Sequence, residues 1–324
     1  MIEFVADRDE GGQRLDRLLR KRYPALPLSR IFALVRRKRV RLNDRHGQGS
    51  DRVEEGDRVR IFPPPEILPL FDSAAAPPAS APAPRAGFSA PPAGGFAVVA
   101  EEPGEWILLD KESGVPSQPG SGIAPGESLV ERLWTLRPPR GSFRPALAHR
   151  LDRETSGLVM AALSAPALRD LAAAIRDRRA GKSYLALAAG RMERSEGTIR
   201  LRLERVSSAR GGAKNLAGSE NGVEALTRWK LEEQFAECAL LRVELGTGRM
   251  HQIRAHLSAV GHPLLGDDRY GDFGLNRRFR RDFGLRRLFL HAARLSFPGL
   301  GSWESPLPPE LVRTLEALRR GGRE

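Results

Sequence analysis

A carboxylate flanked by two cations is the feature of this sequence best suited to chemistry. In Ala148-His149-Arg150-Leu151-Asp152-Arg153-Glu154-Thr155-Ser156-Gly157, Asp152 stands between Arg150 and Arg153. Apolar residues lead in at Leu147 and Leu151 and lead out at Leu158-Val159-Met160, so the pattern predicts a turn between strands that carries Asp152. An ionised carboxylate held there can serve as nucleophile or base beside an anionic ligand. The same residues also suit an ordinary turn, with Asp152 capping it and the arginines as solvated charge.

Two further stretches carry candidate groups. Lys182-Ser183-Tyr184-Leu185-Ala186-Leu187 reads as a strand whose Tyr184 offers a flat face and a hydroxyl to a pyrimidine; a core tyrosine is the plain alternative. Gly246-Thr247-Gly248-Arg249-Met250-His251-Gln252-Ile253-Arg254-Ala255-His256-Leu257 brings the chain close through its glycines and then predicts a helix from near Met250 to Gly261, with Pro263 beyond. Ile253, Leu257 and Val260 share one face of it and suit a core. His251 and His256 do not have the i, i+4 spacing of a helical zinc site, and no acidic ligand stands beside them, so no metal is expected.

Together these strings resemble the three motifs of the RluA family of RNA pseudouridine synthases. His149-Arg150-Leu151-Asp152-x-x-Thr155-Ser156-Gly157 resembles its catalytic motif, Lys182-x-Tyr184-x-Ala186-Leu187 its second, and Gly248-Arg249-x-His251-Gln252-Ile253-Arg254 its third. The resemblance spans Trp106 to Trp303 and is most similar in detail to the RluC branch, whose members act on large-subunit ribosomal RNA. It implies isomerisation of uridine to pseudouridine without a cofactor. It implies Asp152 as the essential carboxylate, Tyr184 against the target base, Arg249 paired with Asp152, Arg150 in the space left by the extruded nucleotide, and Ile253 lining the base pocket. Lys111-Glu112-Ser113-Gly114 lacks a proline usual in the family, in a segment taken as structural.

The elements that position these groups fall into two domains. Lys plus Arg outnumber Asp plus Glu by 53 to 40 in 324 residues, a net +13 that favours a polyanionic partner, nucleic acid before membrane. One cysteine, Cys238, excludes an intrachain disulfide, and the acidic start of the chain is no signal peptide; a cytoplasmic monomer is expected. Residues 11–62 predict a small helix–helix–strand unit, with Ser29 capping its second helix and Arg36-Arg37-Lys38-Arg39 ending it. This unit resembles the alpha-L RNA-binding module, and the basic run is the candidate phosphate grip. Residues 63–95, with ten prolines and nine alanines among 33, predict a disordered tether. Residues 96–324 predict an α+β domain: a long, curved, mainly antiparallel sheet with flanking helices. In it Ser207 to Asn221 reads as a mobile loop. Arg277, Arg278, Arg280 and Arg281, continuing to Arg286 and Arg287, read as a basic loop on RNA.

Rival functions fit less well. Asp272-Phe273-Gly274 and Asp282-Phe283-Gly284 spell a kinase tripeptide, but Leu151 stands where His149-Arg150 would need aspartate, and no phosphate-cradling glycine loop lies upstream. A metal-dependent nuclease would need clustered carboxylates. A catalytically inactive RNA-binding ribosome-assembly factor is the remaining alternative, and the joint presence of Asp152, Tyr184 and Arg249 argues against it.

Overall fold

Alternating apolar residues at both ends of the first 62 positions draw the N-terminal unit together. In the computed structural model, which describes residues 1–72, 94–139, 143–207 and 213–321, strand β1 (Ile2–Val5) buries Phe4 and is followed by helices α1 (Leu15–Arg22) and α2 (Leu28–Arg36). Strands β2 (Val40–Leu42), β3 (Arg45–His46) and β4 (Arg58–Ile61) complete an antiparallel sheet in the order β1-β4-β2-β3. Leu15, Leu18 and Leu19 of α1 and Ile31 and Leu34 of α2 fill the core above it. Pro27, not Ser29, stands at the entry to α2. Arg36, Arg37, Lys38 and Arg39 are all exposed at its end, as a solvated basic ridge.

The unit is larger than residues 11–62. β1 supplies an edge strand before Gly11. Beyond Phe62, a turn of 3₁₀ helix (Pro65–Ile67) and the short helix α3 (Pro69–Asp72) fold back so that Ile67 and Phe71 are buried, Phe71 edge-on to Tyr23 at 4.7 Å between centroids. Prolines at the starts of these turns do not prevent them, because the missing N–H is one that a helix start leaves unbonded anyway. The tether expected from Pro63 therefore begins no earlier than residue 73, and its remainder to 93 lies outside the described residues. A fragment ending at Phe62 should accordingly be much less stable than one ending at Asp72. Burying Ile67 and Phe71 contributes about 3–6 kcal/mol together, so urea unfolding of fragments 1–62 and 1–72 should show a cooperative transition only in the longer one. Equal midpoints would place these residues outside the core.

This unit rests on the larger domain through polar contacts. The Asp9 carboxylate accepts from Ala165 N at 2.7 Å, Arg8 pairs with Glu105 at 2.5 Å, and Arg169 donates to the Gly11 carbonyl at 3.4 Å. Asp9 thus supplies a second N-terminal acceptor to a helix already capped by Ser164, which accepts from Ala167 N.

The larger domain is α+β, with eleven strands in one mixed sheet among the described residues. In chain order come β5 (Phe96–Glu102), β6 (Trp106–Lys111), α4 (Leu129–Leu136), β7 (Ala146–Leu147), β8 (Ser156–Ala162), α5 (Ala165–Arg176), β9 (Gly181–Ala189) and β10 (Glu196–Ser207). Then follow β11 (Ala213–Ala217), β12 (Val223–Gln234), β13 (Cys238–Leu245), α6 (Gln252–Ala259), α7 (Phe273–Asp282), β14 (Leu290–Phe297), β15 (Gly301–Glu304) and α8 (Pro309–Arg319). The main strand order is β11-β10-β12-β13-β9-β14-β8-β6-β5, with β15 on β14 and β7 on β8. Every pairing is antiparallel except β14 with β8. β14 thus joins two halves, one running from β5 to β8 and one from β9 to β13.

Helices cover both faces, so the central strands read as continuous apolar runs; all seven residues of β8 are buried. On one face Tyr184, Ala186 and Ala188 of β9 pack with Leu129 and Leu133 of α4 and Ile253 and Leu257 of α6. On the other, Leu187 and Ala189 pack with Phe279 of α7 and Leu311 and Leu315 of α8, and Leu158 and Met160 pack with Leu171 and Ala174 of α5. The β8–β14 crossing is close: a Cβ on Gly157, whose φ is +112°, would lie 2.4 Å from the Ala292 carbonyl oxygen, so only glycine fits.

Two expectations change. Ala213–Ala217, expected in a mobile loop, forms β11 against β10. Residues 208–212 of that expected loop lie outside the described residues. Arg277 to Arg281, expected in a basic loop, belong to helix α7, started by the Asp272 carboxylate accepting from Leu275 N and held by Phe279.

Candidate active site

Asp152 is held by a segment far from it in sequence. The Ser117 hydroxyl both accepts from Leu151 N at 3.1 Å and donates to the Leu151 carbonyl at 2.6 Å. The Lys111 ammonium, at the buried end of β6, donates to the carbonyls of Glu112, Val115 and Arg153 at 2.8, 2.8 and 3.1 Å. Ser113 Oγ donates to the Glu154 carbonyl at 2.7 Å. Residues 111–117 therefore fasten 151–154 from one side. Burial, with the Arg287 charge, pulls the Lys111 pKa down to about 7, while three carbonyl acceptors call for three N–H donors and so favour the ammonium form.

The turn places Asp152 at the floor of an open cleft of about 1660 Å³. Its side chain keeps 23% exposure, enough to meet a ligand. Tyr184, on the neighbouring half of the sheet, lines the same cleft and is 6% exposed. Burial, and then the Asp152 charge, raise its phenol pKa above the ordinary value, so it remains a neutral ring with an intact O–H. Ile253 also lines the cleft and is buried in the core beneath it. Arg150 is exposed at the mouth, its nearest polar partner being Gln118 Oε1 at 3.4 Å.

The arginine beside Asp152 is Arg254, not Arg249. Arg254 Nη1 lies 3.6 Å from Asp152 Oδ2. Its Nε and Nη2 donate to the buried Asp267 carboxylate at 2.7 and 2.8 Å, and its guanidinium lies over the Tyr270 ring at 5.3 Å. Two-point binding to Asp267 fixes the fork and aims its remaining nitrogen at Asp152. The Arg249 side chain is exposed in the cleft wall, and no ion pair holds it among the described residues. The reason lies in the helix start. Gln252 accepts from Arg249 N and Thr247 Oγ1 and donates to Leu226 O and Thr227 Oγ1, using its whole amide to pin this loop to β12. His251 then takes a left-handed backbone, φ +51°, and α6 begins at Gln252, two residues later than expected from Met250. Arg254, one turn in, faces inward.

His251, considered from sequence only as a metal ligand, is the third group at the carboxylate. Its Nε2 is 3.9 Å from Asp152 Oδ2 and its Nδ1 is 3.2 Å from the Tyr270 hydroxyl. Burial lowers its pKa below the usual 6.5, opposed by the Asp152 charge. His149 is neutral for a similar reason: burial, and then Lys182, draw its pKa down to about 3, and its Nε2 accepts from Met160 N.

The cleft walls are strongly cationic. Arg178, Arg205, Arg228 and Arg294 line them together with Arg150 and Arg249, and the only carboxylates among the lining residues are Asp152 and Glu244. The basic segment expected as a loop on RNA does not line this cleft. Phe279 seats α7 on the sheet face opposite Tyr184; Arg278 pairs with Glu237 and Arg281 with Asp282, leaving Arg277 and Arg280 exposed. Arg287 turns inward to Glu310 and to Ser156 Oγ. Among the described residues no three His, Cys, Asp or Glu side chains gather in a way that would hold a metal.

Residues 105–259, which contain all of these groups except Asp267 and Tyr270 on the inner side and Arg294 on the wall, match the family model described as RNA pseudouridylate synthase. The ribosomal large subunit pseudouridine synthase C of Salmonella typhi is 36% identical over 317 residues, covering 96% of this chain and 94% of that protein. The chain belongs to the RNA pseudouridylate synthase family. Its Escherichia coli relative of the same name has the same identity and coverage, and that of Vibrio cholerae is 33% identical over 330 residues, 98% of each chain. Human RNA pseudouridylate synthase domain containing 1 superposes with a TM-score of 0.55 at 28% identity, covering 69% of this chain and 87% of that one. Human RNA pseudouridylate synthase domain containing 4 superposes at 0.56 and 23% identity, covering 69% and 93%, and shares the fold. The superposed share leaves room for the N-terminal unit, which the full-length bacterial relatives span.

Proposed function

We propose that this protein converts uridine to pseudouridine in large-subunit ribosomal RNA. The observation that carries the reading is one carboxylate, Asp152, set between a fixed arginine and a neutral tyrosine at the floor of a cationic cleft, in a chain whose 33–36% identical relatives bear that activity in their names. The reaction breaks the N1–C1′ bond, turns the base, joins C5 to C1′ and moves a proton from C5 to N1. Its atoms balance within the substrate, so no oxidant or group donor is required.

Each residue has a task in that sequence. The arginine walls take up the phosphates, and Arg150 at the mouth stacks in the gap left by the extruded nucleotide, offsetting an unstacking cost of a few kcal/mol. Asp152 must be ionised whether it attacks the anomeric carbon or takes a sugar proton. Arg254 orients it. Tyr184 holds the flat face of the base, and Ile253 closes the pocket floor. The basic ridge Arg36 to Arg39 on the N-terminal unit extends the grip to RNA outside the cleft.

The direct test is incubation of the protein with large-subunit ribosomal RNA transcripts, followed by pseudouridine mapping at single-nucleotide resolution. New pseudouridine at defined positions is the expected result; none at any position, with binding intact, would leave the RNA-binding assembly factor as the better reading. Binding itself should be strongly salt-dependent. If about 6–10 phosphates are engaged, affinity should fall by about 10³–10⁵ between 50 and 200 mM salt, and a flat salt profile would deny the cleft its electrostatic role.

A further inference from the structure

Arg254 and His251 approach the same oxygen of Asp152. Arg254 Nη1 is 3.6 Å and His251 Nε2 is 3.9 Å from Oδ2. Whether His251 helps to hold the carboxylate depends on which ring nitrogen carries the proton, and the structure answers through Tyr270. The phenol oxygen accepts from Asn215 N at 2.7 Å, which orients it, so its own proton is available to His251 Nδ1 at 3.2 Å. The Asn215 side chain donates to the Met250 carbonyl, fastening β11 to the residue before His251. The ring lies edge-on to Tyr270, with 5.6 Å between centroids and 80° between planes, and its side chain is 13% exposed. A hydrogen bond received at Nδ1 leaves the proton on Nε2, the nitrogen that faces Asp152.

We propose that His251 is a positioning residue for Asp152: with its tautomer set by Tyr270, it donates from Nε2 to Oδ2 and fixes the direction of the carboxylate. The inference rests on Asp152 being the reacting carboxylate. Arg254 alone supplies a charge from one direction, and a carboxylate can swing about that single contact. A second donor from another direction fixes the carboxylate plane. The 3.9 Å separation shortens to a hydrogen bond with a small side-chain rotation, as such contacts commonly do when substrate arrives. Burial keeps the imidazole neutral, so it orients Asp152 without adding a second positive charge that would blunt the carboxylate's reactivity.

The test compares His251→Ala, His251→Gln, Tyr270→Phe and Asp152→Asn in the full-length protein. Each is assayed by single-turnover conversion of large-subunit ribosomal RNA transcripts, with RNA affinity and thermal unfolding measured on the same preparations. His251→Ala should slow the bound complex about 10–100-fold while RNA affinity stays within about two-fold. His251→Gln, whose amide N–H reaches toward Oδ2, should recover most of that rate. Tyr270→Phe should lose part of it, by freeing the tautomer. Wild-type rates in a folded His251→Ala protein would overturn the proposal. So would equal loss in the Ala and Gln variants at unchanged unfolding temperature, because a donor would then not be what matters. If Asp152→Asn remained active, the fault would lie in the reading of Asp152; if Asp152→Asn were inactive and His251→Ala fully active, only the role of His251 would fall.

Discussion

Asp152→Asn is expected to abolish pseudouridine formation while leaving RNA affinity within a few-fold. The substitution preserves shape, and the amide oxygen can turn to Arg254 where Oδ2 now lies. The group then presented to the substrate is an NH₂, which is neither nucleophile nor base. The turn itself survives, because Leu151, Arg153 and Glu154 are held through their backbone by Ser117, Lys111 and Ser113 and not through the Asp152 side chain. Loss of a partly exposed ion pair should cost no more than about 1 kcal/mol of stability. A turn-capping aspartate predicts the reverse pattern, a small loss of stability and full activity. Single-turnover conversion and unfolding of the same sample separate the two, and undiminished pseudouridine formation by the asparagine protein would remove Asp152 from the mechanism.

The second large effect distinguishes two arginines within one motif. Arg254→Ala should lose activity and about 3–5 kcal/mol of stability, because it strands the fully buried Asp267 carboxylate without its partner. Arg254→Lys keeps a charge but cannot serve Asp267 at two points and Asp152 at a third; it should fold and yet convert bound RNA about 10²-fold more slowly. Arg249→Ala should fold normally and weaken RNA binding while leaving the rate of the bound complex near that of the wild type. Full activity of Arg254→Lys beside inactivity of Arg249→Ala would restore Arg249 as the partner of Asp152. The Arg254–Asp267 pair also has a pH signature. Although burial opposes it, hydrogen bonding from Arg254 lowers the Asp267 pKa, so the pair's stabilisation is present above the ordinary carboxylate value and is lost as pH falls through the lower folded one.

The candidate site residues were legible because their types are unusual for their places: a carboxylate between arginines on a turn, a tyrosine on an apolar strand, a glycine-bracketed basic stretch before a helix. What remained hidden was direction. Arg249 and Arg254 lie in the same string, and choosing between them requires the left-handed step at His251 and the four hydrogen bonds of Gln252, neither of which periodicity encodes. His251 was weighed only as a metal ligand and set aside, and its place beside Asp152 stayed hidden because that carboxylate lies about a hundred residues away. Helix α7 was within reach of the sequence, since Asp272 is an N-cap type and Leu275 and Phe279 stand four apart; the density of arginine concealed it. Ile2–Val5 and Ala213–Ala217 are short edge segments whose strand character comes from their neighbours. Ile67 and Phe71 have helical spacing, but it lies within a run of prolines.

The position of β14 has a consequence for when the enzyme comes into being. Asp152 belongs to the half of the sheet that includes β8, whereas Tyr184, His251 and Arg254 belong to the half built from β9 to β13, and among the described residues the two are paired in the sheet only through β14, which ends at Phe297. The parallel contact of His291 with Ser156 closes a loop of more than a hundred residues, the kind of pairing that forms late because its entropy cost precedes its reward. During synthesis, each half can gather its own local hairpins as it emerges, and β14, which joins them in the sheet, emerges after both. A nascent chain still short of β14 therefore carries basic surface while the sheet that bears the site is unjoined.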